Sequence, residues 1–139
     1  MKPAKVLVDS GVLIAFYNAE DRYHSRVVDF FRTCRSELIT TLACVTEVLW
    51  LLNKSWQVQN IFLNHLAQNI YRCESLNRHD FQRIVELNEQ YSDLPGDFAD
   101  LALVAISERL RIAEIATLDQ DFDVYRRYRK EPFIRVFRP

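Results

Sequence analysis

The stretch Lys5-Val6-Leu7-Val8-Asp9-Ser10-Gly11-Val12-Leu13-Ile14-Ala15 opens as a short apolar run that ends at an acid. That is the pattern of a strand buried on both faces. A helical pattern takes over from about Ser10 to Phe16 and resumes over 24–35, where Val27, Val28, Phe30 and Phe31 share one broad face. The same alternation of strand and helix continues. Leu38-Ile39-Thr40-Thr41 reads as a second strand, followed by a helix through Thr46 to Leu51 and another over 57–69; 70–76 reads as a weak third strand. Asn77 is placed to cap a helix carrying Phe81, Ile84, Val85 and Leu87, which stops before the turn signal Asp93-Leu94-Pro95-Gly96. Residues 98–110 are apolar almost all round, as expected of a helix in the middle of the fold. Glu114 to Leu118 is a fourth strand ending at Asp119, and a short helix around 124–128 and a strand over 133–137 complete the pattern. Strands separated by helices pair in parallel through right-handed crossovers, so the expected fold class is α/β, a three-layer sandwich.

The remaining composition narrows the chemistry by exclusion. With 139 residues there is room for one domain, expected over 1–139. Apolar residues make up 49%, enough to cover both faces of a small sheet. The longest apolar runs, 12–17 and 101–106, are far shorter than the roughly 18 residues of a membrane span, so no membrane partner is expected. Met1-Lys2-Pro3-Ala4-Lys5 leads straight into the first strand without the apolar region and cleavage site of a signal peptide, which reads as a cytoplasmic protein. Only two glycines are present, Gly11 and Gly96, too few for a dinucleotide fingerprint or a phosphate-binding loop. Cys34, Cys44 and Cys73 form no CxxC pair and His24, His65 and His79 no HExxH, which argues against zinc and disulfides. Net charge is −1 and by itself indicates no polyanionic partner. The tail is different: Arg126, Arg127, Arg129, Lys130, Arg135 and Arg138 face a single acid, Glu131.

Ligand sites of open α/β sheets gather at the carboxyl ends of the strands. Asp9 and Asp119 each follow a predicted strand directly and therefore leave the sheet at the same edge. Glu47, expected near the start of the helix after the second strand, interrupts the apolar series Val45, Val48, Leu49, Leu51, Leu52. Asp97 and Asp100 lie three residues apart at the entrance of the most apolar helix, where the helix dipole favours negative charge. Converging carboxylates without nearby lysines repel, and a divalent cation removes the penalty. All-oxygen ligation selects Mg²⁺ or Mn²⁺, ions that acidify a bound water and hold phosphate oxygens. The chemistry expected is phosphodiester hydrolysis.

The four stretches around Asp9, Glu47, Asp97-Phe98-Ala99-Asp100 and Ala116-Thr117-Leu118-Asp119 resemble, in order and spacing, the acidic motifs of PIN-domain ribonucleases. The likeness is greatest to the small VapC-type toxins of toxin–antitoxin pairs. The resemblance implies five parallel strands in the order 3-2-1-4-5, with Asp9, Glu47, Asp100 and Asp119 as the catalytic and metal-binding quartet. It also implies a Mg²⁺-dependent (or Mn²⁺-dependent) endoribonuclease acting on single-stranded RNA, a small antitoxin protein as partner, and a homodimer. Trp50, Leu51, Leu52, Trp56 and Phe62 supply apolar surface for that dimer. Asp97 and Asp121 are additional acids near the motifs; an N-terminal cap is the expected role of Asp97. Ser10, Thr46 and Thr117 either orient the neighbouring carboxylates or serve as local caps. The basic tail is a solvated face or an RNA contact, and Tyr125 and Tyr128 are core residues or base platforms. Two other functions compete. One is a catalytically silent PIN-like module that binds protein or RNA, for which an intact quartet is unneeded. The other is a phosphotransferase with Asp9 as nucleophile, which Gly11 disfavours by standing where such enzymes commonly place a second acid.

Overall fold

The computed structural model describes residues 4–94 and 96–139; Met1-Lys2-Pro3 and Pro95 of the expected turn lie outside the described residues. The strands are β1 (Lys5–Val8), β2 (Glu37–Thr41), β3 (Tyr71–Glu74), β4 (Glu114–Ala116), β5 (Arg126–Arg127), β6 (Glu131–Pro132) and β7 (Ile134–Phe137). The helices are α1 (Ser10–Tyr17), α2 (His24–Thr33), α3 (Leu42–Leu51), α4 (Trp56–Ala67), α5 (Arg78–Gln90) and α6 (Phe98–Leu110). Five strands form one sheet in the order β3-β2-β1-β4-β7, every neighbouring pair parallel. This is the expected order 3-2-1-4-5, with the small β5–β6 ribbon inserted before the last strand.

Side chains alternate along a strand, so Leu7 enters one core while Val6 and Val8 enter the other. Leu7, Ile39 and Ile115 are covered by α5 and α6; Val6, Val8 and Ala116 are covered by α1, α2 and α4. Helix α3 contributes Cys44 to the first core and Val45 and Val48 to the second, which brings its length across the carboxyl edge of the sheet. Every residue from Ala99 to Ser107 in α6 is buried, the physical reason for its apolar circumference. Asn77 caps α5 as expected: its Oδ1 accepts from the Asp80 N–H at 2.9 Å while Asp80 Oδ2 accepts from the Asn77 N–H at 2.9 Å, a reciprocal capping box.

Three expectations are corrected. Residues 124–128 are not helical: a 3-10 turn over Gln120–Asp123 is followed by the antiparallel β5–β6 pair. Val124, Tyr125 and Tyr128 have helical spacing, but Tyr125 is buried while Val124 is half exposed. Tyr128 and Arg129 take positive φ of 51° and 70°, a conformation that a right-handed helix forbids and a tight hairpin turn needs. Glu47 is not at a helix start, because Thr41 caps α3 through the Cys44 N–H and leaves Glu47 in the second turn. The apolar set on α3 and α4 divides: Leu52 and Phe62 are core, whereas Trp50 and Trp56 are 70% and 65% exposed.

The basic tail is mostly spent within the fold. Arg126 donates to the carbonyls of Asp123, Val124 and Tyr125, and Arg127 is buried against Ser107. Arg129 pairs with Glu86, and Arg135 and Arg138 both pair with Asp123.

Candidate acidic centre

Parallel pairing of β1 with β4 aligns Val8 with Ala116, and the ladder extends one bond further, from the Asp9 N–H to the Ala116 carbonyl at 3.1 Å. Asp9 and the Thr117–Asp119 turn therefore leave adjacent central strands side by side. Asp9 also caps α1: its Oδ1 accepts from the Ser10 N–H at 2.7 Å. Its Oδ2 accepts from the Thr117 hydroxyl at 2.8 Å, and Thr117 Oγ1 in turn accepts from the Asp119 N–H at 2.9 Å. One buried hydroxyl thus joins the two acids.

The third acid arrives on α6. Asp97 is the cap, accepting from the Asp100 N–H at 2.8 Å, and this holds Asp100 in the first turn with its side chain turned to the sheet edge. Asp9, Asp100 and Asp119 each offer an oxygen, and the three lie within 4.8 Å of one another. Glu47 is not in that close set. It lines the same cleft of about 260 Å³, together with Asp9, Ser10, Asp97, Asp100 and Asp119. There it accepts from the Ser10 hydroxyl, which also lies 3.4 Å from Asp9 Oδ1. Asp121 does not line the cleft; its N–H donates to Asp119 Oδ1 at 2.9 Å.

Asp9 and Asp100 are only 4% and 6% exposed. Burial pushes the Asp9 carboxyl up to about 6, with Asp119 and Glu47 adding repulsion and the bonds from Thr117 and Ser10 opposing it. Burial, then the charges of Asp9, Asp97 and Asp119, pushes Asp100 up to about 9 against the hydrogen bond from Tyr125. Among the described residues no Lys, Arg or His pairs with any of the five acids lining the cleft. Buried carboxylates in this state are destabilising unless a cation enters. The donor set fits a hard divalent ion: three carboxylates offer only oxygen, the donor that Mg²⁺ and Mn²⁺ take, and Asp9, Asp100 and Asp119 would hold it. Cys44 does not line the cleft; burial, then the Asp9 charge, pushes its thiol up to about 12.

Tyr125 is fully buried and donates its hydroxyl to Asp100 Oδ2 at 3.2 Å. Its sequence signal was an aromatic in a basic tail, which gave no indication of a contact with α6. Gly96 makes room for it, since a Cβ there would collide with the Tyr125 hydroxyl and crowd Leu101. Gly96→Ala is therefore expected to cost about 1–3 kcal/mol, as overpacking does, and to displace the hydroxyl from Asp100. Urea unfolding in chelator measures it; a loss below about 0.5 kcal/mol would show that the loop yields instead.

Parallel strands delivering a buried and a partly buried acid to one edge, met by a third, buried acid at a helix entrance, define an α/β/α protein with a metal-competent acidic centre. The family model of the PIN domain matches residues 6–128, and the chain belongs to the PIN-domain family. A search of curated proteins finds no match. Among solved structures, the chain is similar to VapC20 of Mycobacterium tuberculosis, described as a sarcin-ricin loop cleaving toxin. The TM-score is 0.80 at 18% identity over 86% of this chain and 93% of that one. It is also similar to a chain of a toxin–antitoxin complex from Klebsiella pneumoniae, with a TM-score of 0.60 at 18% identity over 84% of this chain and 89% of that one. The expected likeness to VapC-type toxins is met in the fold.

Proposed function

We propose that the chain is a Mg²⁺-dependent (or Mn²⁺-dependent) endoribonuclease that hydrolyses phosphodiester bonds in single-stranded RNA. In this reading it acts in the cytoplasm, as one PIN-like unit over 1–139, and is the toxin of a toxin–antitoxin pair. The observation that carries it is the set of uncompensated carboxylates at the edge of the central strands, Asp9 and Asp100 buried and Asp119 partly buried. Asp9, Asp100, Asp119 and Glu47 are the residues assigned to hold metal and to act in catalysis. A bound divalent ion supplies charge neutralisation, a more acidic water and stabilisation of the leaving oxygen. The chain's own part is to orient and to desolvate. Thr117 fixes Asp9 relative to Asp119, Ser10 fixes Glu47 relative to Asp9, and Tyr125 fixes Asp100. Asp97 keeps the entrance of α6 capped and adds negative charge beside the ligands.

Single-stranded substrate is supported by a groove of about 560 Å³ that shares Glu47 and Asp97 with the acidic cleft and is walled by the half-exposed Phe98. Unpaired bases stack on such surfaces. The exposed Trp50, Leu51 and Trp56 suit coverage by a second copy in a homodimer and by a small antitoxin. A toxin–antitoxin complex among the similar structures is consistent with that partner.

The test is cleavage of single-stranded RNA by the purified chain. Activity is expected with Mg²⁺ or Mn²⁺ and none in excess EDTA, because among the described residues the cleft holds no histidine or lysine to replace the ion as the source of an activated water. Cleavage that persists in chelator, with contamination excluded, overturns the proposal.

A further inference from the structure

Arg135 lies on β7 where the ladder slips: Ile115 pairs with Arg135 and Ala116 with Phe137, so Val136 is an extra residue on the edge strand. The Arg135 side chain is 4% exposed. Its Nη2 donates to the Thr117 carbonyl at 3.0 Å and its Nη1 to Asp123 Oδ2 at 3.1 Å. The other Asp123 oxygen accepts from the exposed Arg138 at 3.0 Å. Thr117 is thus gripped at both polar ends, its carbonyl by Arg135 and its hydroxyl by Asp9 and Asp119.

We propose that Arg135 is a positioning residue for the acidic centre: by bracing the Thr117 carbonyl against Asp123, it sets the turn that aligns Asp9 with Asp119 for a divalent ion. The inference rests on the metal-dependent reading above. Without the brace the Thr117 carbonyl can turn about the Cα–C bond, and that turn swings Leu118 and Asp119 away from the Thr117 hydroxyl, which stays on Asp9, so the two acids lose their alignment. Stability alone does not explain the arrangement. Arg135 Nε is buried with no partner among the described residues, and a buried ion pair is often no more stabilising than an apolar replacement. Asp123 is partly exposed and keeps Arg138, so removing Arg135 strands no buried charge. Arg135→Met is therefore compatible with folding. Lysine is not an equivalent, because one ammonium reaches Asp123 or the Thr117 carbonyl but does not span both as the planar fork does.

The experiment measures Mn²⁺ binding by paramagnetic resonance on the full chain, with thermal unfolding in EDTA alongside. Arg135→Met is expected to weaken Mn²⁺ by about 10- to 100-fold, the range seen when a residue supporting metal ligands is lost. Two controls isolate the cause. Arg138→Met removes a cation from the same Asp123 and is expected to change Mn²⁺ affinity less than about two-fold, since an exposed ion pair is screened. Arg127→Met removes an equally buried arginine that holds Ser107, and is expected to lower the melting temperature while leaving Mn²⁺ affinity unchanged. Wild-type affinity in Arg135→Met overturns the inference, and so does equal weakening in Arg138→Met. Should Arg135→Met fail to fold, Arg135→Lys decides: weakened Mn²⁺ supports the brace and wild-type affinity overturns it. A wild-type chain that binds no Mn²⁺ overturns the metal reading and this inference with it, whereas normal wild-type binding with an unchanged variant overturns the inference alone.

Discussion

Asp100→Asn is expected to lower RNA cleavage by at least about 10²-fold in Mg²⁺ while raising the melting temperature in EDTA. The first effect follows from losing an anionic ligand in a preorganised electrostatic site. The second follows from the surroundings of Asp100, where burial and the charges of Asp9, Asp97 and Asp119 all disfavour the anion. An amide retains a carbonyl oxygen to accept from Tyr125 and brings no charge. Asp9→Asn, Asp119→Asn and Glu47→Gln are expected to lose comparable activity. Asp97→Asn is expected to be milder, since asparagine still accepts from the Asp100 N–H and caps α6. Cleavage rates and metal-free melting curves for all five variants make the check. If quartet variants lose stability in step with activity, the acids are structural caps and the assignment fails; if only Asp97→Asn is inactive, the two acids of α6 have been assigned in the wrong order.

The metal-free chain is expected to be most stable near pH 4 and to weaken steadily toward pH 9. Asp9 and Asp100 hold their protons up to about 6 and about 9, whereas in the unfolded chain both titrate near 3.8. Between those values the native state binds more protons than the unfolded state, so stability falls as pH rises. Their contribution is complete below about 3.8 and fades first through 6 and then through 9. At the acid end Asp123 sets the opposite trend. It is partly desolvated, yet Arg138 and Arg135 hold its carboxyl below the ordinary range, so its stabilisation is lost as pH falls below 4. Mg²⁺ needs the ionised carboxylates, so its stabilising effect is expected to be small at pH 5 and large at pH 8.5. Melting curves in EDTA and in Mg²⁺ across this range decide the matter. Metal-free stability that is flat or rising between pH 5 and 8 would falsify the buried-acid account.

What the sequence could and could not disclose follows from the range of the interactions. Local features were legible: the apolar run into Asp9, the Asn77 cap and the apolar circumference of α6 each depend on neighbours within a few residues. So did the capping role of Asp97. The edge shared by Asp9 and Asp119 was legible because parallel pairing puts consecutive strand ends on one side. The place of Glu47 outside the tight trio was not, because it depends on how α3 crosses the sheet edge and on its bond from Ser10, 37 positions away. The partners within the tail were not legible for the same reason. Composition reported six cations, but Ser107, Glu86 and Asp123 became partners of Arg127, Arg129, Arg135 and Arg138 only when the ribbon and β7 docked. Asp123 in particular has nothing in its own vicinity to mark it as the anchor of two arginines.

The sheet order has a consequence for the chain during synthesis. Strand β1 is made first but occupies the middle of the sheet, between β2 and a β4 that follows it by about a hundred residues. Strands β1, β2 and β3 can pair while the rest is still on the ribosome, which leaves one side of β1 as an open edge with unpaired amides. The hydroxyl that joins Asp9 to Asp119 belongs to Thr117, 108 residues downstream of Asp9, and Asp119 itself comes later still. A nascent chain therefore carries Asp9 and Glu47 for much of its translation without a finished centre, and Asp100 joins them only 19 residues before Asp119. If the centre cuts RNA, the ribosome and message that make it are exposed to an active product only after the last central strand has left the tunnel.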